Sequence, residues 1–298
     1  LIAAIALSLG VSAWWLLMRG EGPRAATPAT LAEVLRGSAG QAVEIRLAPG
    51  IYGAVLRLGA AATGLDLRAA GPGVMLTGVT AEPGLRATLT GIELRGPLTL
   101  GPGVQLELRG GSAHAVLVDG GRLTCANTEI TGPIMVNHQG VLILRGGRAG
   151  AGIRGEDSTI ELHDCRITGA VQITRGALSA STTIISGNGE IPALALDRAS
   201  GVKLHAVTLD SSAVGVAADA SAITAIDGLT ISASRVGIAW TGPADPTWEW
   251  RGLRVTAPTV ASGLPAALVA AASASAASST VASPPAASSQ ATTHANQK

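Results

Sequence analysis

Phenylalanine is absent from this chain of 298 residues, tyrosine occurs once, and aromatic residues make up 2 % of the whole. A globular domain of this length usually builds its core around several aromatic rings, so the shortage argues against one large core. Net charge is lacking too, with 21 Lys+Arg against 20 Asp+Glu. A nucleic-acid footprint needs basic residues clustered on one face, and the arginines here are scattered, which excludes DNA and RNA as partners. Cysteine is limited to Cys125 and Cys165. No Cys/His set has zinc spacing, no Gly-rich loop leads into a helix for phosphate binding, and no Ser/His/Asp arrangement is visible. Neither a metal nor a cofactor is implied.

What the chain does hold is Leu, Val, Ile and Ala beside 39 glycines. That stock suits many small, similar layers. Leu1 to Met18 carries no charge, and 18 helical residues reach about 27 Å, close to the hydrocarbon thickness of a bilayer. Trp14 and Trp15 stand just before Arg19, as at a membrane–water interface. Residues 1–19 therefore read as a single transmembrane anchor in a lipid bilayer. Bulky Trp and Leu occupy the positions where small residues would mark a signal-peptide cleavage site. Residues 20–29 read as a linker, and 257–298, rich in Ala, Ser, Thr and Pro, as a tail unable to bury enough apolar surface to fold alone.

The body, 30–256, opens with Thr30-Leu-Ala-Glu33-Val-Leu-Arg-Gly37. Thr30 and Glu33 have capping-box spacing, and Gly37 can end the helix. This helix, 30–37, suits a lid over the first open edge of a solenoid. Apolar pairs with one residue between them then recur. Val104/Leu106, Leu123/Cys125, Leu142/Leu144, Ile160/Leu162 and Leu178/Ala180 read as first strands, 18 or 19 residues apart. Val116/Val118, Ile134/Val136, Ile153/Gly155 and Val171/Ile173 read as second strands. Later coils lengthen to about 22 residues, with Val207-Thr-Leu209 and Val214-Gly-Val216 recurring as Leu229-Thr-Ile231 and Val236-Gly-Ile238. Strands this short, stacked in parallel, bury each apolar layer between its neighbours. Cys125 and Cys165 fall two coils apart, or roughly 9–10 Å, beyond the about 7 Å that a disulfide spans.

The segment Val43-Glu-Ile-Arg-Leu-Ala-Pro-Gly-Ile-Tyr52-Gly resembles the opening coil of pectate-lyase-like β-helix proteins, where a strand runs into a Pro-Gly-x-Tyr turn. Residues 202–240 look like the generic parallel β-helix repeat of many secreted and envelope proteins. The resemblance spans about residues 40 to 256 and is specific for fold, not for activity. It implies an all-β, right-handed parallel β-helix with an N-terminal capping helix, behind one transmembrane helix. Enzymes of this fold mostly act on acidic polysaccharides, through acidic clusters or carboxylate-held Ca²⁺ with an Arg or Lys base.

One column matches that chemistry in part. The turn after the second strand stacks Asp119, then Asn137 and His138, Glu156 and Asp157, Thr174 and Arg175, and Asp197 and Arg198. Equivalent positions in adjacent coils lie about 4.8 Å apart, so the column can serve as a glycan or Ca²⁺ site or as a solvated charge ladder. Glu129, Arg148 and Arg166 form a second ladder. His163-Asp164 is a tempting dyad whose side chains alternate in direction, and His114 and His205 stand isolated. The closely spaced Asp pair beside a Gly-His-Gly known from fold relatives is missing. Trp240, Trp248 and Trp250 gather in the last coil and its exit. They read either as a plug of the C-terminal end or as a contact for a partner or envelope glycan.

Taken together, these features favour a non-catalytic, membrane-anchored scaffold or accessory subunit of a membrane protein complex. An envelope glycan-binding module, or a polysaccharide lyase or hydrolase using the Asp119–Arg198 column, is the alternative. Arg19 and Arg24 follow the anchor, which by the positive-inside rule favours a cytoplasmic body. Resemblance to envelope β-helix proteins favours a periplasmic one.

Overall fold

The computed structural model describes residues 23–38, 42–59, 63–243 and 248–264, with Ala270. The described residues between Arg24 and Ser262 wind into a parallel β-solenoid, with 28 strands and almost no helix among them. Every pairing in it is parallel, as expected of a chain that returns to the same face once per coil.

Three faces result, termed sheets A, B and C in the order the chain meets them in each coil. In sheet A, eleven successive pairings join twelve strands, from Arg24–Ala26 to Glu249–Arg251. Its inward column runs Ile45, Leu67, Leu89, Leu108, Cys125, Leu144, Leu162, Ala180, Leu204, Ile226 and Trp250. Sheet B stacks Leu76, Leu94, Ala113, Ile130, Ala149 and Ile167. Sheet C stacks Val79, Leu98, Val116, Ile134, Ile153, Val171, Leu194, Val216 and Ile238. Period-two alternation sends these side chains inward, and they merge into one buried core.

The expected second strands, the later 22-residue repeat and the separation of the two free cysteines all hold. One first strand is shifted. Leu106 and Leu108, not Val104 and Leu106, pair with Leu123 and Cys125, which makes that coil 17 residues long. Val104 is fully buried one step earlier, at an inner corner that later coils fill with Gly121 and Gly140. A Cβ on Gly121 would lie 2.8 Å from the Gly101 carbonyl oxygen.

The ends of the body also differ from expectation. Arg24–Ala26, inside the expected linker, is a strand paired with Ile45–Leu47. Thr259–Ser262, inside the expected tail, continues sheet C beside Val236 to Ala239. The lid helix α1, Leu31–Arg36, is present, but Thr30 makes no side-chain cap. Its hydroxyl instead accepts the Thr27 N–H at 3.0 Å. The Pro-Gly-x-Tyr turn closes as its residue type suggests: the buried Tyr52 hydroxyl faces the carbonyls of Ala26 (3.1 Å) and Ala48 (3.0 Å).

The segment 1–19, with Trp14, Trp15 and Arg19, and most of the tail lie outside the described residues. Among the described residues, no helix is long and apolar enough to cross a membrane.

From about residue 120 onward, two corners of the coils are made by a residue in the left-handed conformation, glycine in several of them. After sheet A these include Asn127, Asp164, Thr182 and Ala206, and after sheet C they include His138, Asp157, Arg175, Arg198 and Ala220. Non-glycine residues reach this region at a cost. Here the backbone N–H returns a ladder bond to the next coil, as in Asp164 to Ser181 (3.1 Å) and Asp157 to Thr174 (2.9 Å). Just past the first corner, Thr128, Cys165 and Thr183 turn inward and bond the corner carbonyls. The Cys165 thiol faces His163 O at 3.0 Å and the Thr183 hydroxyl donates to Ser181 O at 2.8 Å. Cys165 thus has a polar role at a threonine position, beyond the small apolar packing that Cys125 provides.

Candidate functional site

The corner after sheet C carries the charged column. Register stacks Asp119 on Asn137, and Glu156 on Thr174, Asp197 and Asp219. One residue further along, His138, Asp157, Arg175 and Arg198 occupy the left-handed corner, so their side chains project outward beside the first row. The column therefore forms as expected and extends one coil further, to Asp219.

From Asp119 to Arg198 its acids are paired within the column. The Arg175 guanidinium spans two carboxylates, bonding Asp157 through Nε and Nη2 (both 2.9 Å) and Glu156 through Nη2 (2.7 Å). Arg198 holds Asp197 at 3.1 and 3.2 Å. His138 Nδ1 meets Asp119 Oδ1. Hydrogen bonding to these arginines lowers the pKa of Asp157 and of Asp197 from the ordinary carboxylate value, while Asp119 raises that of His138. Carboxylates held ionised in this way are poor proton donors, and Arg175 is protonated too firmly to act as a base. The left-handed strain is no functional signal either, because Asn127, Asp164, Thr182 and Ala206 repeat it at the other corner.

The tryptophans do come together. Ring centroids of Trp240 and Trp248 lie 5.1 Å apart, and Trp248 stacks on Trp250 at 6.1 Å and 15°. Trp240 is 5 % exposed, and its indole N–H bonds Gly242 O (3.2 Å), while that of Trp250 bonds Ile223 O (3.0 Å). Both N–H groups are thus turned to the chain itself, as a plug requires. Trp248 and Trp250 remain half-buried, packed against the core.

The histidines have partners that sequence reasoning missed. His163 Nδ1 lies 2.8 Å from Ser181 Oγ in the next coil, not against Asp164. His205, expected to be isolated, pairs with Asp227 at 3.0 Å, and His114 faces Thr131 at 3.4 Å. These are cross-coil contacts, 17 to 22 residues apart in sequence, visible only once the coil register is exact. The Glu129–Arg148–Arg166 ladder aligns as expected.

Further charged pairs, which also went unread, stand on two faces, three on sheet A and Glu93/Arg95 on sheet B. Glu44/Arg46, Asp66/Arg68, Glu93/Arg95 and Glu107/Arg109 form ion pairs at 2.7–3.1 Å along their strands. The signal was an acid–x–Arg spacing, which puts both side chains on one strand face. On sheet A, Asp66 and Glu107 line a shallow groove of about 320 Å³ with Arg86 and Arg122. Among the described residues, no group of three or more His, Cys, Asp or Glu side chains is placed to hold a metal ion. Comparison of the chain with protein-family models, with curated proteins and with solved structures finds no match.

Proposed function

We propose that this protein is a membrane-tethered, right-handed β-solenoid that serves as a non-catalytic scaffold or accessory subunit of a membrane protein complex. The observation that carries the reading is the pairing within the edge column. Asp119, Glu156, Asp157 and Asp197, the acids best placed for glycan chemistry, are each bound to His138, Arg175 or Arg198. A rod of stacked coils whose edge acids from Asp119 to Asp197 are paired offers a long, rigid side to a partner. The uncharged stretch Leu1–Met18 supplies the tether, with Trp14, Trp15 and Arg19 at the interface. Likeness to envelope β-helix proteins favours a periplasmic body.

A second reading, an envelope glycan-binding or glycan-cleaving module, draws on the exposed position of Glu156, Arg175 and Arg198 and on the half-buried Trp248 and Trp250. Glu156→Ala combined with Asp157→Ala separates the two. A scaffold keeps its membrane partner, and neither the wild type nor the double variant turns over acidic polysaccharide. Turnover by the wild type that disappears in the double variant contradicts the scaffold reading.

A further inference from the structure

We infer that the N-terminal end of the solenoid is a membrane-contact surface, on which the lid helix and the first coil rest against the bilayer interface. This rests on the reading of Leu1–Met18 as a membrane anchor. Between the lid helix and the first coil lies a groove of about 450 Å³. Its apolar walls include Pro28, Leu35, Val55 and Leu56, and its cationic members are Arg36 and Arg57. Val55 is 49 % exposed and Ile51, on the same turn, 58 %. They are two of the four large hydrophobic residues that stand exposed among the described residues. The lid itself buries only Leu31.

Chain length bounds how far this end can stand from the anchor. Arg19 closes the apolar stretch, and the first strand begins at Arg24. Five residues span at most about 17 Å when fully extended, so the first coil is held close to the bilayer surface. Apolar side chains beside two arginines suit that depth: Ile51 and Val55 enter the headgroup–acyl boundary while Arg36 and Arg57 meet anionic headgroups. The far end, closed by tryptophans, lies on the other side of the rod.

The full chain is made with Val55→Cys and labelled with nitrobenzoxadiazole, the native thiols being buried. It is then reconstituted into phosphatidylcholine vesicles with and without phosphatidylserine. Met135→Cys, exposed four rungs along sheet C, or about 19 Å away, serves as the reference. The expected result is loss of emission from the label at 55 to lipids spin-labelled near the headgroup, with none at 135. Arg36→Glu with Arg57→Glu weakens that quenching in phosphatidylserine vesicles while leaving flotation unchanged. A chain that floats with vesicles but shows no quenching at 55, or equal quenching at both sites, overturns the contact surface alone. A chain that does not float overturns the anchor reading and the surface with it.

Discussion

The two ends of this solenoid solve one problem in different ways. Each terminal coil leaves an apolar layer open. At the C-terminal end three indole rings cover it, with the Trp240 and Trp250 N–H groups satisfied by backbone carbonyls. At the N-terminal end a helix of six residues covers it, assisted by the Tyr52 hydroxyl, and leaves Ile51 and Val55 standing in solvent. One end is sealed by its own side chains; the other is only partly sealed, and in sequence it follows the apolar stretch Leu1–Met18. The contrast teaches that the closure of a solenoid end can mark where another surface meets it.

Breaking the C-terminal seal has the largest expected effect. Trp240→Ala removes a nearly fully buried ring from the core and from both neighbouring indoles, and costs about 3–5 kcal/mol. Urea unfolding followed by circular dichroism measures it. Leu31→Ala, the matching change at the other end, lies near the bottom of the about 2–5 kcal/mol range for such truncations, because a six-residue helix can settle onto the gap. Because coils interact mainly with their neighbours, hydrogen exchange after Leu31→Ala rises in the first coils and stays unchanged from about residue 120 onward. Equal losses from both substitutions would erase the contrast. Tyr52→Phe is milder, about 1 kcal/mol, the loss of one buried hydroxyl's bond.

Between the ends, the corner column is expected to respond weakly to pH. His138 has its pKa raised by Asp119, so the pair's contribution is complete below the ordinary histidine value of about 6.5 and disappears as pH rises through the higher folded value. Asp157 and Asp197 have theirs lowered by Arg175 and Arg198, so their contribution is complete above the ordinary value of about 3.9 and disappears as pH falls through the lower folded value. Unfolding midpoints between pH 3 and 9 test this, and His138→Ala should flatten the alkaline limb alone. The smallest effect belongs to Cys165→Thr. Thr128 and Thr183 already fill the same corner in other coils, so stability should change by less than about 0.5 kcal/mol. The Cys165 thiol, pushed up to about 11 by burial, should resist alkylation in the native state at pH 8.

The middle of this molecule was far more legible than its ends. Interior pairs such as Ile134/Val136 and Ile153/Gly155 announce their register because alternation separates core from solvent at each step. Val104/Leu106 misled because the corner position before that strand is also apolar, as Leu85 is one coil earlier, whereas the next two coils carry glycine there. Arg24–Ala26 has three residues and no alternation to read, and Thr259–Ser262 is only one residue longer. The charged column was found from coil spacing alone. That Arg175 serves two carboxylates of the preceding coil depends on the left-handed corner that aims it, which composition does not reveal.

The central claim is attachment without catalysis, and its most direct test is purification of the tagged full chain from membranes in mild detergent. The protein is expected to stay with membranes through an alkaline carbonate wash. It then elutes with an integral membrane partner at fixed stoichiometry, a ratio unchanged by Glu156→Ala with Asp157→Ala. Release into the carbonate supernatant, or elution alone at every detergent tried, would contradict it.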